Sequence, residues 1–186
     1  MTAVNQSDQP TQELPAGTWK LDPVHSTASF GVKHMVVATF RGTFDELDAT
    51  LEVSDDGTGT LVGTVDPSSV RVKDENLAGH LQSPDFFDTE RHKELRFEST
   101  SIRIEGDEAI VEGNLTIKGN TQPVTARGAY TGPHEDIAGA TKIGLTLETA
   151  IDRTLYGLNW NAPLPKGGFA LATDVNLIVE LELAQA

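Results

Sequence analysis

The chain has 186 residues, 38% apolar and 23% charged, which suits one well-buried domain and is short for two. Twenty-eight acidic against fourteen basic residues give a formal net charge of −14, a field that repels nucleic acid and anionic membrane surfaces as broad electrostatic partners. Cysteine is absent, which excludes disulfides, thiolate catalysis and Cys-based zinc or iron–sulfur sites.

Residues 1–16, MTAVNQSDQPTQELPA, carry neither a basic start nor an apolar centre. They read as a disordered N-terminal arm without a signal-peptide pattern, and the expected location is cytoplasmic. Apolar runs such as Met35–Ala38 fall far short of the roughly 20 residues needed for a transmembrane segment.

Residues 17–186 read as one domain of alternating apolar and polar positions. Ala28, Phe30, Val32 and His34 share one parity, opposite to Ser29, Gly31 and Lys33. Similar runs follow at Ala49–Val53, Leu61–Val65, Val70–Val72, Leu95–Phe97, Ile102–Ile104, Ala109–Ile117 and Val124–Ala126. The longest are Ile143–Ile151 and Val175–Leu183. Strict alternation buries one face and wets the other, the mark of antiparallel strands.

The exception is His80–Asp88, HLQSPDFFD. Ser83 suits a helix N-cap and Pro84 the first helical position, so a short helix is expected there. Its Phe86 and Phe87 can plug one end of the core or form the lip of a pocket. Turns are expected at Asp55-Asp56-Gly57, Glu105-Gly106-Asp107, Lys118-Gly119-Asn120 and Thr131-Gly132-Pro133, and a loop at Ala162–Gly168. Many strands with one helix indicate an all-β, eight-stranded antiparallel lipocalin-like barrel, because closure removes exposed edges. Such a barrel is just wide enough for one small ligand.

Five ordered segments carry a family resemblance: DPVHSTASFGVKH (Asp22–His34) with Arg41-Gly42-x-Phe44, then HLQSPDFFD, LRFEST (Leu95–Thr100), GNLTIKGNTQPV (Gly113–Val124) and IDRTLYGLNW (Ile151–Trp160). Together they resemble the YceI-like family of lipocalin-like polyisoprenoid-binding proteins, over roughly Ala16 to Ala184. The resemblance implies a hydrophobic tunnel for a prenyl chain, such as a quinone tail or polyprenyl phosphate, and suggests a homodimer. Two departures bear on head-group preference. Leu77-Ala78-Gly79 stand where the family often has Arg-Asp before His-Leu, and His92-Lys93 replace an aromatic-Pro pair.

Parity nominates the lining. Phe30, Val32, Phe40, Phe44, Phe97, Leu115, Leu145, Leu147, Leu177 and Val179 form a candidate apolar wall, with Phe86, Phe87, Leu158 and Trp160 at the ends. Each is equally a plain core residue. His34 shares the inward parity and is either a core histidine bonded to backbone or a polar contact to a ligand oxygen. Arg153 follows Leu145, Leu147, Thr149 and Ile151 at spacing two. A buried guanidinium needs compensation, so either a turn at Asp152 carries it out, an internal acid pairs with it, or it faces an anionic head group. Lys118 has the outward parity of an exposed turn lysine.

Metal and enzyme chemistry find little support. His25 and His34 are an odd number of residues apart and face opposite sides of a regular strand. His80 and His92 flank the expected helix without a metal-binding pattern. Asp22, His25 and Ser26 lack a nucleophile elbow, Asp85 and Glu90 suit a helix start and the surface, and no glycine-rich phosphate loop occurs. The expectation is a protein without catalytic residues, metal or cofactor that holds an isoprenoid lipid as carrier or reservoir. The alternatives are a structural or stress-related barrel with a filled core and, third, an enzyme acting on a lipid-like substrate.

Overall fold

In a computed structural model, which describes residues 12–186, the alternating segments become eleven strands. These are β1 (Gly17–Leu21), β2 (Thr27–His34), β3 (Ala38–Phe44), β4 (Leu47–Val53), β5 (Gly59–Val65), β6 (Val70–Arg71), β7 (Leu95–Glu105), β8 (Glu108–Ile117), β9 (Asn120–Glu135), β10 (Thr141–Asp152) and β11 (Leu171–Gln185). Each pairing is antiparallel. The ring runs β1-β4-β5-β7-β8-β9-β10-β11 and closes through β1 and β11, giving the eight-stranded barrel the alternation implies.

β11 is long enough to serve two neighbours. Leu183–Gln185 pair with β1, whereas Leu171–Glu180 pair with β2, which carries β3 and β6 beyond it. β1 and β2 are therefore two stretches along one edge, interrupted at residues 22–26. Past the end of β5, β3 has only two-residue β6 on its far side, and the barrel wall there is completed by a helix.

That helix, α1, spans Glu75–Gln82 and starts earlier than His80–Asp88. Asp74 is its N-cap, accepting from the Leu77 amide at 2.9 Å, and Leu77 and Leu81 face inward one turn apart. Ser83 stands at the opposite end, with its hydroxyl donating to the His80 carbonyl at 2.7 Å. Pro84 holds its predecessor in an extended conformation and so ends the helix instead of beginning it. Phe86 and Phe87 lie in the turns that follow.

Two further expectations are corrected. Thr131-Gly132-Pro133 lies inside β9, where the register against β10 shifts between Lys142 and Gly144; the reversal comes at Asp136–Gly139. The arm expected to be disordered through Ala16 is held from Gln12 onward. Gln12 donates its amide to the Ile104 carbonyl, Leu14 is buried, and Trp19 Nε1 bonds the Pro15 carbonyl at 2.9 Å. Residues 1–11 of that arm lie outside the described residues.

The interior divides into two halves. Around β1, Trp19, Leu51, Leu145 and Leu183 are at or below 1% exposure and interlock with Val111 and Ile143. Around β2, β3 and α1, Phe30, Phe44, Phe86 and Phe87 form a second cluster. Its neighbours Phe40, Leu115, Val175 and Leu177 are only partly buried, although their side chains point inward. Inward residues that stay accessible mean that this half is hollow.

Candidate binding cavity

The hollow half contains a cavity of about 620 Å³, within the roughly 300–1,000 Å³ usual for small-ligand sites. Its wall is almost wholly apolar. One end reaches Leu61, Ala49 and Leu181 and stops at the packed core beneath. The other end is bordered by His34, His80, Trp160 and Ala170.

Of the residues nominated by parity, Phe30, Val32, His34, Phe40, Phe44, Phe86, Phe87, Phe97, Leu115, Leu147, Arg153, Leu158, Trp160, Leu177 and Val179 all line this cavity. Leu145 does not. It is 1% exposed within the packed half, two residues along β10 from Leu147, where the lumen has already closed. Parity tells inward from outward but carries no information on depth.

His34 is an exposed rim residue, which removes the reading of it as a core histidine. It ends β2 opposite Leu171, where the sheet stops covering it. Lys118 donates from Nζ to the Pro84 carbonyl at 2.5 Å, fastening the β8–β9 turn to the segment behind α1, and does not reach the cavity.

Arg153 follows neither of the first two anticipated courses, the outward turn and the internal acid. A 3-10 turn begins after Asp152, whose carboxylate caps it through the Thr154 amide. The arginine nevertheless stays at 5% exposure, and no acid pairs with its guanidinium within the described residues. Instead Nε donates to Ala172 O at 2.8 Å, and Nη1 to Leu158 O at 2.5 Å and Trp160 O at 2.9 Å. Backbone dipoles replace a counter-ion, and burial pulls its pKa below the ordinary arginine value. The guanidinium also borders the cavity, and Nη2 makes no hydrogen bond to protein among the described residues.

Sequence reasoning missed several lining residues. Val175 and Leu181 share the parity of Leu177 and Val179, so the same rule could have found them. Leu77, His80 and Leu81 were hidden by the misplaced helix start. His80 lies edge-on to Phe86 and Trp160, with centroids 5.0 and 4.9 Å away, and its Nε2 meets an Asp85 carboxylate oxygen at 2.9 Å. Together they make an aromatic collar beside the opening.

Away from the cavity, Asp22, His25 and Glu182 cluster closely enough to offer ligand atoms to an ion. Lys142 already bonds Asp22 at 3.1 Å and Glu182 at 2.5 Å, and sits 3.4 Å from Asp136. A resident ammonium makes this a salt-bridge network, not an open metal site.

A closed antiparallel barrel packed at one end, hollow and apolar at the other, with its wall completed by a short helix, defines a lipocalin-like architecture. The sequence places it more narrowly. A model of the YceI-like domain matches residues 19–183, and the chain belongs to that family. The UPF0312 protein SA2479 of Staphylococcus aureus strain N315 is 34% identical over 166 residues, covering 88% of this chain and 95% of that protein. Among solved structures, BcnA of Burkholderia cenocepacia superposes with a TM-score of 0.74 at 22% identity, over 87% of this chain and 98% of that one. A polyisoprenoid-binding domain from Saccharophagus degradans, implicated in plant cell wall breakdown, gives 0.61 at 14% identity, over 90% and 98%. At these identities the structural likeness shows the fold alone.

Proposed function

We propose that the protein binds an amphiphilic isoprenoid, of polyprenyl phosphate or prenylquinone type, in the barrel interior and acts as its carrier or reservoir, not as a catalyst. The observation that carries this reading is the apolar cavity of about 620 Å³ at one end of an otherwise packed barrel. A barrel filled by its own side chains would bury Phe40, Leu115 and Leu177 as fully as Leu51 and Leu183. Each methylene transferred from water contributes about 0.8 kcal/mol, so ten ligand carbons supply roughly 8 kcal/mol before association costs. The family membership and the polyisoprenoid-binding structural neighbour fit the same ligand class.

Arg153 is the natural polar anchor for such a ligand. Its buried guanidinium borders the cavity and retains N–H donors that no group among the described residues uses, so it suits a quinone carbonyl or phosphate oxygen. Native mass spectrometry of the purified protein provides the test. Co-purified prenyl lipid, or uptake of added prenylquinone or polyprenyl phosphate, supports carriage. A clean apo mass with no uptake favours a purely structural barrel.

A further inference from the structure

The tip of the β2–β3 hairpin violates two local rules at once. Met35 and Val36 have φ of 53° and 65°, a left-handed conformation that turns normally assign to glycine or asparagine and that is costly for a β-branched side chain. The side chains held there face water: Val36 is 80% and Val37 86% exposed. Phe169, 61% exposed on the 162–170 loop, belongs to the same surface, because the Met35 amide bonds the Ala170 carbonyl at 2.8 Å. His34, Ala38 and Ala170, which flank these tips in sequence, are cavity-rim residues. The apolar knob and the opening are thus one continuous structure.

The two segments that carry this knob depart in charge from the rest of the chain. Residues 23–44 and 153–173 contain no acidic residue in a protein carrying twenty-eight, yet they include exposed Lys33, Arg41 and Lys166. None of these three makes an ion pair among the described residues. The most exposed aliphatics elsewhere, Val24 and Ile137, lie beside acids, near Asp22 and next to Asp136. Screening over about 8 Å at physiological ionic strength lets a lipid surface feel the local cations more than the distant net charge. The broad repulsion implied by composition therefore does not govern this face.

We propose that Met35–Val37 and Phe169 insert into an anionic lipid bilayer while Lys33, Arg41 and Lys166 meet its head groups, seating the cavity mouth on the membrane for lipid exchange. Exchange rests on the carrier reading; docking stands independently of it. The knob is apolar where the bilayer is apolar and cationic at head-group level, the arrangement that favours interfacial binding.

Vesicle flotation tests the docking. Wild-type protein should float with vesicles of phosphatidylglycerol and phosphatidylcholine in equal parts, less with phosphatidylcholine alone and less at high salt. Val36→Asp with Val37→Asp should lower the bound fraction about tenfold with a melting temperature no lower than that of the wild type, since both sites are exposed and Asp tolerates the left-handed φ at 36 better than Val. Lys33→Glu with Lys166→Glu should erase the preference for phosphatidylglycerol. Uptake of menatetrenone added from ethanol should be unchanged in all variants. Wild-type protein that stays with the unbound fraction, or variants that float like it, overturn the proposal. A wild type that ignores vesicles but self-associates through this tip, with dissociation in the Asp variant, also overturns it and assigns the face to a second copy. Vesicle binding without uptake of either menatetrenone or an added polyprenyl phosphate supports docking and refutes the carrier reading.

Discussion

Arg153 donates through Nη1 to the Leu158 carbonyl at 2.5 Å, so the guanidinium that borders the cavity also fastens the loop leading to the cavity mouth. The same nitrogen holds Trp160, and Nε holds Ala172 on the returning strand. A side chain fixed at three points presents its remaining donors in a set direction, as a polar anchor requires.

Arg153→Ala is therefore expected to lower stability by about 2–4 kcal/mol, since three carbonyls lose their donors together. Arg153→Lys should recover only part of this, because one ammonium cannot reproduce a planar fork. Urea denaturation measures both. A loss of about 0.5 kcal/mol, the scale of an ordinary surface change, would mean that the loop holds itself without the arginine.

Two glycines keep rings folded against the wall. A Cβ at Gly42 would lie 2.5 Å from the Phe30 ring; at Gly113 it would lie 2.5 Å from both the Phe97 ring and the Glu98 carbonyl oxygen. Gly42→Ala can be relieved by pushing Phe30 into the lumen, so it should reduce the length of prenyl chain accommodated at modest stability cost. Gly113→Ala also meets backbone and should cost more, about 1–3 kcal/mol. Thermal melts and a chain-length series of prenylquinones separate the two effects, and equal behaviour of the variants would contradict the geometry.

Leu147 stands where the lumen gives way to packed core, at 3% exposure. Leu147→Arg should block tail uptake and destabilise the fold, because it forces a charge into an apolar, 3% exposed position. Uptake at the wild-type level by a folded variant would show that the ligand lies elsewhere.

The paired phenylalanines differ in role. Phe87 packs on Phe30 and Phe44, with ring centroids 6.5 and 5.7 Å away, and Phe87→Ala should cost about 3–5 kcal/mol. Phe86 meets His80 and Trp160 in the collar, so Phe86→Ala should alter ligand exchange rates more than Phe87→Ala does. Stopped-flow exchange of a fluorescent prenyl analogue reads this contrast; identical rates would remove the gate.

Acid should weaken the Asp22–Lys142 cluster. Hydrogen bonds from His25 and then Lys142 hold the Asp22 carboxyl well below its ordinary range. A depressed folded-state pKa contributes stability above the unfolded value, about 3.9, and loses it as pH falls toward the folded value. Lys142 is raised, chiefly by Glu182 and then Asp22, so its contribution is complete below about pH 10 and fades only above that. The stability gap between wild type and Asp22→Asn should be open at neutral pH and narrow below about pH 4. A gap of constant size across that window would sink this assignment.

Strand alternation reached far because period two is a local property. From Phe30 and Val32 in β2 to Leu177 and Val179 in β11, it identified inward faces that the barrel preserves. The helix was less legible. Ser83-Pro84 offers a plausible start, and nothing in that fragment excludes it. Asp74 wins because Leu77 and Leu81 bury one face in the wall left open beyond β5, a tertiary circumstance.

By itself, the sequence determined which residues alternate, that no thiol chemistry is available, and that antiparallel strands would form. It also carried the motifs of its family. Only the tertiary structure decided depth. Leu145 and Leu147 carry the same signal two residues apart, yet one is enclosed in core and the other, at the core's edge, borders the lumen. It likewise decided that Arg153 stays buried without an acid, since the neutralising carbonyls arrive from Leu158, Trp160 and Ala172. Periodicity fixes the direction of a side chain, whereas hollowness and charge compensation depend on how distant strands diverge.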